Sequence, residues 1–134
     1  MFSALISVIL VINELMASNA GQAMSPAINF DSWIELYNPS DQAVSLAGMY
    51  LTDQKGNSWQ MPSDMGDVPA GGFKVVWLGS NDITLGRDAR AVGQKQAPFK
   101  LDCDGGTISI SDASGALVTT QTYPEAKSRT SWAR

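Results

Sequence analysis

Two carboxylates stand inside apolar surroundings. Glu14 lies in Ile12-Asn-Glu-Leu-Met16 and Glu35 in Trp33-Ile-Glu-Leu-Tyr37. A pair of acids can hydrolyse a glycosidic bond, one protonating the leaving oxygen while the other activates water or attacks the sugar. That chemistry needs loops or a groove, and strands that pair edge to edge in a sandwich offer neither. The expected role is therefore structural. Each carboxylate should accept hydrogen bonds or pair with a base such as Lys100 or Arg134.

Other routes to catalysis close quickly. The chain has no histidine. Ser-His-Asp and Cys-His arrangements are excluded, as are zinc sites of the usual histidine-containing kinds. Cys103 is the only cysteine, so no disulfide forms within the chain. No imidazole is available to activate its thiol. Asp102-Cys-Asp-Gly-Gly106 looks like a fragment of a calcium loop, because hard cations take clustered carboxylates and carbonyls. Counted from Asp102, the twelfth position of such a loop is Ala113, which offers no carboxylate. Asp104-Gly105 between apolar runs reads as a hairpin turn. Asp64 and Asp67, near Gly66, make a still poorer ligand set. The expectation is a chain with no metal, no cofactor and no enzymatic activity.

The residues that could bind are aromatic or basic. On a strand Trp33 and Tyr37 share one face about 13 Å apart, since each residue advances about 3.3 Å. If Ile34 and Leu36 face a core, Trp33, Glu35 and Tyr37 face outward together. Rings spaced in this way can stack on sugars; they can also be covered by a neighbouring segment. The densest basic stretch runs through Arg87 and Arg90 to Lys95 and Lys100. Nine basic residues stand against thirteen acidic ones, for a net charge of −4. Nucleic-acid affinity rests on Lys and Arg releasing condensed counterions. An acidic chain with scattered bases is not expected to have it, although Arg87 and Arg90 remain candidates for contact with another partner.

These residues must be positioned by strands. No helical period of useful length appears. Trp33–Tyr37 alternates and is stopped by Asn38-Pro-Ser-Asp41, where proline pre-sets a turn dihedral and Asn, Ser and Asp bond their own backbone. The apolar pattern resumes at Val44, Leu46, Met49 and Leu51, with Gly48 as a place to bend. Ser58–Met61 is a short strand, 63–72 a loop, and Phe73–Leu78 a strand apolar on both faces, as at the centre of a sandwich. Phe73, Val75 and Trp77 share one face and Trp77 is expected inside. Residues 79–98 are irregular, a length at which loops are usually functional or disordered. Thr107–Ser111 alternates, Ser114-Gly115 signals a hairpin, and 116–123 and 131–134 complete the strands. Many short strands at such spacing predict an all-β antiparallel sandwich with Ile34, Leu36, Leu51, Val75, Trp77, Ile108 and Ile110 in the core. The 134 residues suggest one domain with a core that needs no staple.

The opening is ambiguous. Residues 1–12 are strongly apolar but lack Lys or Arg, and about twelve residues are too few to span a bilayer. Val8–Met16 reads as a buried strand, and residues 1–7 as an extra edge strand or the remnant of an export signal.

Several segments resemble one family. Ile12-Asn-Glu-Leu-Met-Ala-Ser-Asn19, Trp33-Ile-Glu-Leu-Tyr-Asn-Pro-Ser40, Leu46-Ala-Gly-Met-Tyr-Leu-Thr-Asp53 and Pro69-Ala-Gly-Gly-Phe-Lys-Val-Val-Trp77 are similar, in that order along the family pattern, to lamin tail domains. So are Phe99–Ile110 and the closing Ser131-Trp-Ala-Arg134. The bacterial versions, appended to exported and surface proteins, match better than the nuclear ones. The resemblance implies an immunoglobulin-like β-sandwich without catalysis, carrying an acid at positions 14 and 35. It implies an interaction or anchoring module in the extracellular space or cell envelope of a bacterium. The implied partner is a protein or cell-surface component; a polysaccharide held on the Trp33, Glu35, Tyr37 face is the alternative.

Overall fold

The computed structural model describes residues 8–17, 32–79, 95–125 and 131–134. The elements are β1 (Val11–Met16), β2 (Ser32–Tyr37), β3 (Val44–Ser45), β4 (Tyr50–Asp53), β5 (Ser58–Gln60) and β6 (Asp67–Val68). They continue with β7 (Phe73–Leu78), β8 (Gln96–Ala97), β9 (Gly106–Ser111), β10 (Leu117–Tyr123) and β11 (Trp132–Ala133). A five-stranded sheet in the order β11-β1-β2-β7-β8 packs against a four-stranded sheet β10-β9-β4-β5, and β3-β6 forms a small ribbon. Among the described residues there is no helix, and the fold is an immunoglobulin-like β-sandwich.

β2 organises the larger sheet. It pairs antiparallel with β1 on one side and with β7 on the other. Its alternation decides which residues go inside. Ile34 and Leu36 are fully buried, opposite Val76 and Lys74 of β7 and Leu15 and Ile12 of β1. From the other sheet come Leu51, Ile108 and Ile110, also fully buried. Leu46, Met49, Met61, Met65 and Val68 close the core beneath the ribbon.

The facing of β7 corrects the sequence reading. Val76 and Leu78 are inside, whereas Val75 is 40 % exposed and Trp77 is half-buried on the outer face. Phe73, Val75 and Trp77 do share a face, but it points outward. A strand apolar on both faces carries no internal signal of which side is which. Its register with β2, pairing Ile34 with Val76, makes the choice.

Three further differences follow from short elements. The run 43–53 is two strands in two sheets, with Leu46 and Met49 buried at the corner between them. The expected loop 63–72 contains β6. The expected irregular stretch contains β8, which runs parallel to β7. A two-residue strand leaves too little alternation to read.

The turn after β2 is built on one side chain. Asn38 is fully buried. Its Oδ1 accepts from Ser40 N at 3.0 Å and Ser40 Oγ at 2.7 Å, and its Nδ2 donates to Gln42 O at 2.7 Å and Val68 O at 3.0 Å. One amide thus ties the end of β2 to the ribbon. Gly105 closes another turn at φ 98°, where a Cβ would lie 3.1 Å from the backbone of 123–125. Both conformation and space favour glycine there.

Candidate functional site

The outward face of the five-stranded sheet collects the residues that could bind. Trp33, Glu35 and Tyr37 on β2 alternate with the buried Ile34 and Leu36, and each is half-buried. β7 extends the face sideways, because Trp33 stands opposite Trp77, Glu35 opposite Val75, and Tyr37 opposite Phe73. The Tyr37 and Phe73 rings stack with centroids 4.9 Å apart at 30°. Phe73 is 54 % exposed. The result is four rings and a valine on two paired strands, with one carboxylate among them. The contribution of β7 could not be read from the sequence, since it depends on cross-strand register.

The two carboxylates meet here. Glu14 and Glu35 are direct cross-strand partners between β1 and β2. Like charges placed opposite one another repel, and the structure supplies neutral donors to each. β1 bulges at Asn13, the extra residue between the pairs Ile12–Leu36 and Glu14–Glu35. The bulge places Asn13 Nδ2 2.9 Å from Glu35 Oε1. Ser131 Oγ donates to Glu14 Oε1. The expectation that each carboxylate accepts hydrogen bonds holds, with donors that are neutral side chains the sequence did not single out. Asn13 and Ser131 are thus residues of this face that sequence reasoning missed.

The other candidates lie elsewhere. Arg87 and Arg90 are outside the described residues. Lys95 Nζ is 3.6 Å from Asp64 Oδ2, so a base of that stretch and an acid of the weaker calcium candidate face each other. Asp102 Oδ2 is 2.9 Å from Lys55 Nζ. This hydrogen-bonded ion pair holds the Asp102 carboxyl below, and the Lys55 ammonium above, its ordinary range. Asp104 N donates to Asp102 Oδ1 at 2.9 Å, closing an Asx turn rather than opening a ligand loop. Among the described residues no three acids or cysteines gather where they could hold a metal ion. Cys103 Sγ lies 3.6 Å from Ala17 O. Trp59 packs against the core from β5.

A two-sheet sandwich with an aromatic outer face is the architecture of an immunoglobulin-like domain. Fold alone does not say what such a domain does. The family model of the Lamin Tail Domain matches residues 7–125, most of the chain, and the chain belongs to that family. No curated protein matches the chain. Among the described residues no helix is long and apolar enough to cross a membrane.

Proposed function

We propose that this chain is a non-catalytic interaction module that holds a protein partner on the outward face of its five-stranded sheet. The observation that carries the reading is the exposure of Phe73 and Val75 beside the half-buried Trp33, Tyr37 and Trp77. Apolar side chains in the middle of a sheet face are normally covered, and contiguous exposed ones mark contact surfaces. Aromatic rings are the residues that carry most interface energy. Glu14 and Glu35 are held by structural donors on an open face, which supports binding over hydrolysis. Following the resemblance to bacterial members, the module serves in the extracellular space or cell envelope of a bacterium. There it anchors the protein that carries it.

One observation favours a second reading. Trp33 and Tyr37 flank Glu35 on one strand, and rings beside a polar group suit a neutral polysaccharide chain. Co-sedimentation with a bacterial envelope fraction separates the two. A protein partner predicts retention that is lost when the fraction is pretreated with protease. A polysaccharide predicts retention that survives protease and is competed by soluble glycan. No retention in either form sinks both.

A further inference from the structure

A slot of about 490 Å³ opens between the chain entering β1 and the turn after β2, lined by Val8, Ile9 and residues 40–45. That volume lies within the range of ligand sites, roughly 300–1,000 Å³. Val8 and Ile9 are 39 % and 51 % exposed, an adjacent pair of β-branched side chains turned toward water. Residues 8–10 precede the ladder of β1, which begins at Val11. β3 pairs with β6 on one side and has no ladder neighbour on the other among the described residues. Two stretches of backbone outside any ladder with each other therefore bound a slot that is apolar at Val8, Ile9, Ala43 and Val44 and polar at Ser40, Asp41, Gln42 and Ser45, and backbone polar groups take partners where they can. Asp41 is the only charged residue of the lining, and its carboxylate has no hydrogen-bond or ion-pair partner among the described residues.

We propose that this slot binds an extended segment of a partner protein, laid as an added strand along β3 and residues 8–10, with apolar side chains on its slot-facing side flanking a Lys or Arg at Asp41. Strand addition draws affinity from main-chain bonds and specificity from alternate side chains. Val8, Ile9 and Val44 supply the apolar contacts, and Asp41 supplies the sign. An acidic segment is repelled there, and the net charge of −4 acts in the same direction. The proposal stands apart from the aromatic face and does not depend on it.

The test is a titration of the isotope-labelled full chain with three blocked peptides, followed by backbone amide shifts. The probes are acetyl-Ser-Val-Thr-Lys-Thr-Val-Ser-amide and its counterparts with Gln or Glu in place of Lys. Saturable shifts are expected at residues 8–11 and 40–45. The Lys peptide should bind about fivefold more tightly than the Glu peptide at low ionic strength, with Gln between them, and the gap should close near 1 M salt. Asp41→Asn should remove most of the Lys–Glu gap, leaving the part due to net charge, while keeping the affinity for the Gln peptide. Ile9→Asp should weaken all three. Both side chains are exposed, so the melting temperatures of the variants should match the native chain, which shows that the changes act on binding. Shifts that never saturate, shifts confined to Trp33–Tyr37 and Phe73–Trp77, or equal affinities for the Lys and Glu peptides at low salt would overturn the proposal.

Discussion

Asn38 is the residue whose replacement tells most about how this fold is held. Alanine there removes four hydrogen bonds. An ordinary bond contributes about 0.5–1.5 kcal/mol net, and a buried acceptor left without a donor costs about 1–3 kcal/mol. The two bonds to Ser40 belong to one Asx turn and are not independent. The Gln42 carbonyl keeps a bond from Ser40 Oγ at 2.9 Å, and Val68 stays paired with Val44 in the β3–β6 ladder, so the loss is three independent bonds of about 1 kcal/mol each. Together these losses amount to about 3 kcal/mol, a large share of the roughly 5–15 kcal/mol of a typical domain. With a urea dependence near 1.5 kcal/mol per molar, the unfolding midpoint should fall by about 2 M. Asn38→Asp sharpens the test. It keeps the acceptor for Ser40 but turns a carboxylate oxygen toward the carbonyls of Gln42 and Val68. Burial and those two dipoles raise the pKa of the new acid, and its protonated form can donate again. A folded pKa raised above the unfolded one means that stability is retained below the ordinary carboxylate value of about 4. It is lost as pH rises through the folded value. The deficit of Asn38→Asp should therefore shrink on acidification while that of Asn38→Ala does not. A midpoint shift below about 0.5 M for Asn38→Ala, or a pH-independent deficit for Asn38→Asp, would refute the role given to this amide.

Three other outcomes follow from the packing. Val76→Ala should cost about 2 kcal/mol and Val75→Ala less than about 0.5 kcal/mol, measured by the same urea unfolding; the reverse order would return Val75 to the core. Burial of the Tyr123 hydroxyl pushes its pKa up from 10.0 to about 12. The stability this represents is complete below pH 10 and lost as pH rises through about 12, so alkaline melting curves of Tyr123→Phe should lack that part of the decline. Removing residues 1–16 deletes all of β1 and the buried Leu10, Ile12, Leu15 and Met16, each worth roughly 1.5–3 kcal/mol. The shortened chain should be unfolded or aggregated, and a soluble, cooperatively melting product would show that β1 is dispensable.

The strands that could be read from the sequence are those with one apolar face. β2 and β9 alternate cleanly, and Ile34, Leu36, Ile108 and Ile110 are buried as their alternation requires. Asn-Pro-Ser-Asp announced a turn, although nothing local showed that Asn38 would reach across to Val68. β7 could be located but not oriented, because its partner chooses its face. β8 and β6 were too short to stand out from loop. The outward placing of Trp33, Glu35 and Tyr37 followed from β2 alone. Its extension by Phe73, Val75 and Trp77, and the meeting of Glu14 with Glu35 across a bulge at Asn13, are consequences of pairing that no single segment encodes.

The aromatic face is the central claim, and a double substitution addresses it directly. Phe73→Ser with Val75→Ser removes the two most exposed apolar side chains of that face while leaving Ile34, Leu36 and Val76 in place. The stacking of Tyr37 on Phe73 makes some loss of stability expected, about 0.5–1.5 kcal/mol, which leaves the chain folded. Retention of this variant on a bacterial envelope fraction, measured beside the native chain and an unfolding curve for each, gives the result. The account predicts a folded variant that is no longer retained. A folded variant retained as well as the native chain would place the binding surface elsewhere.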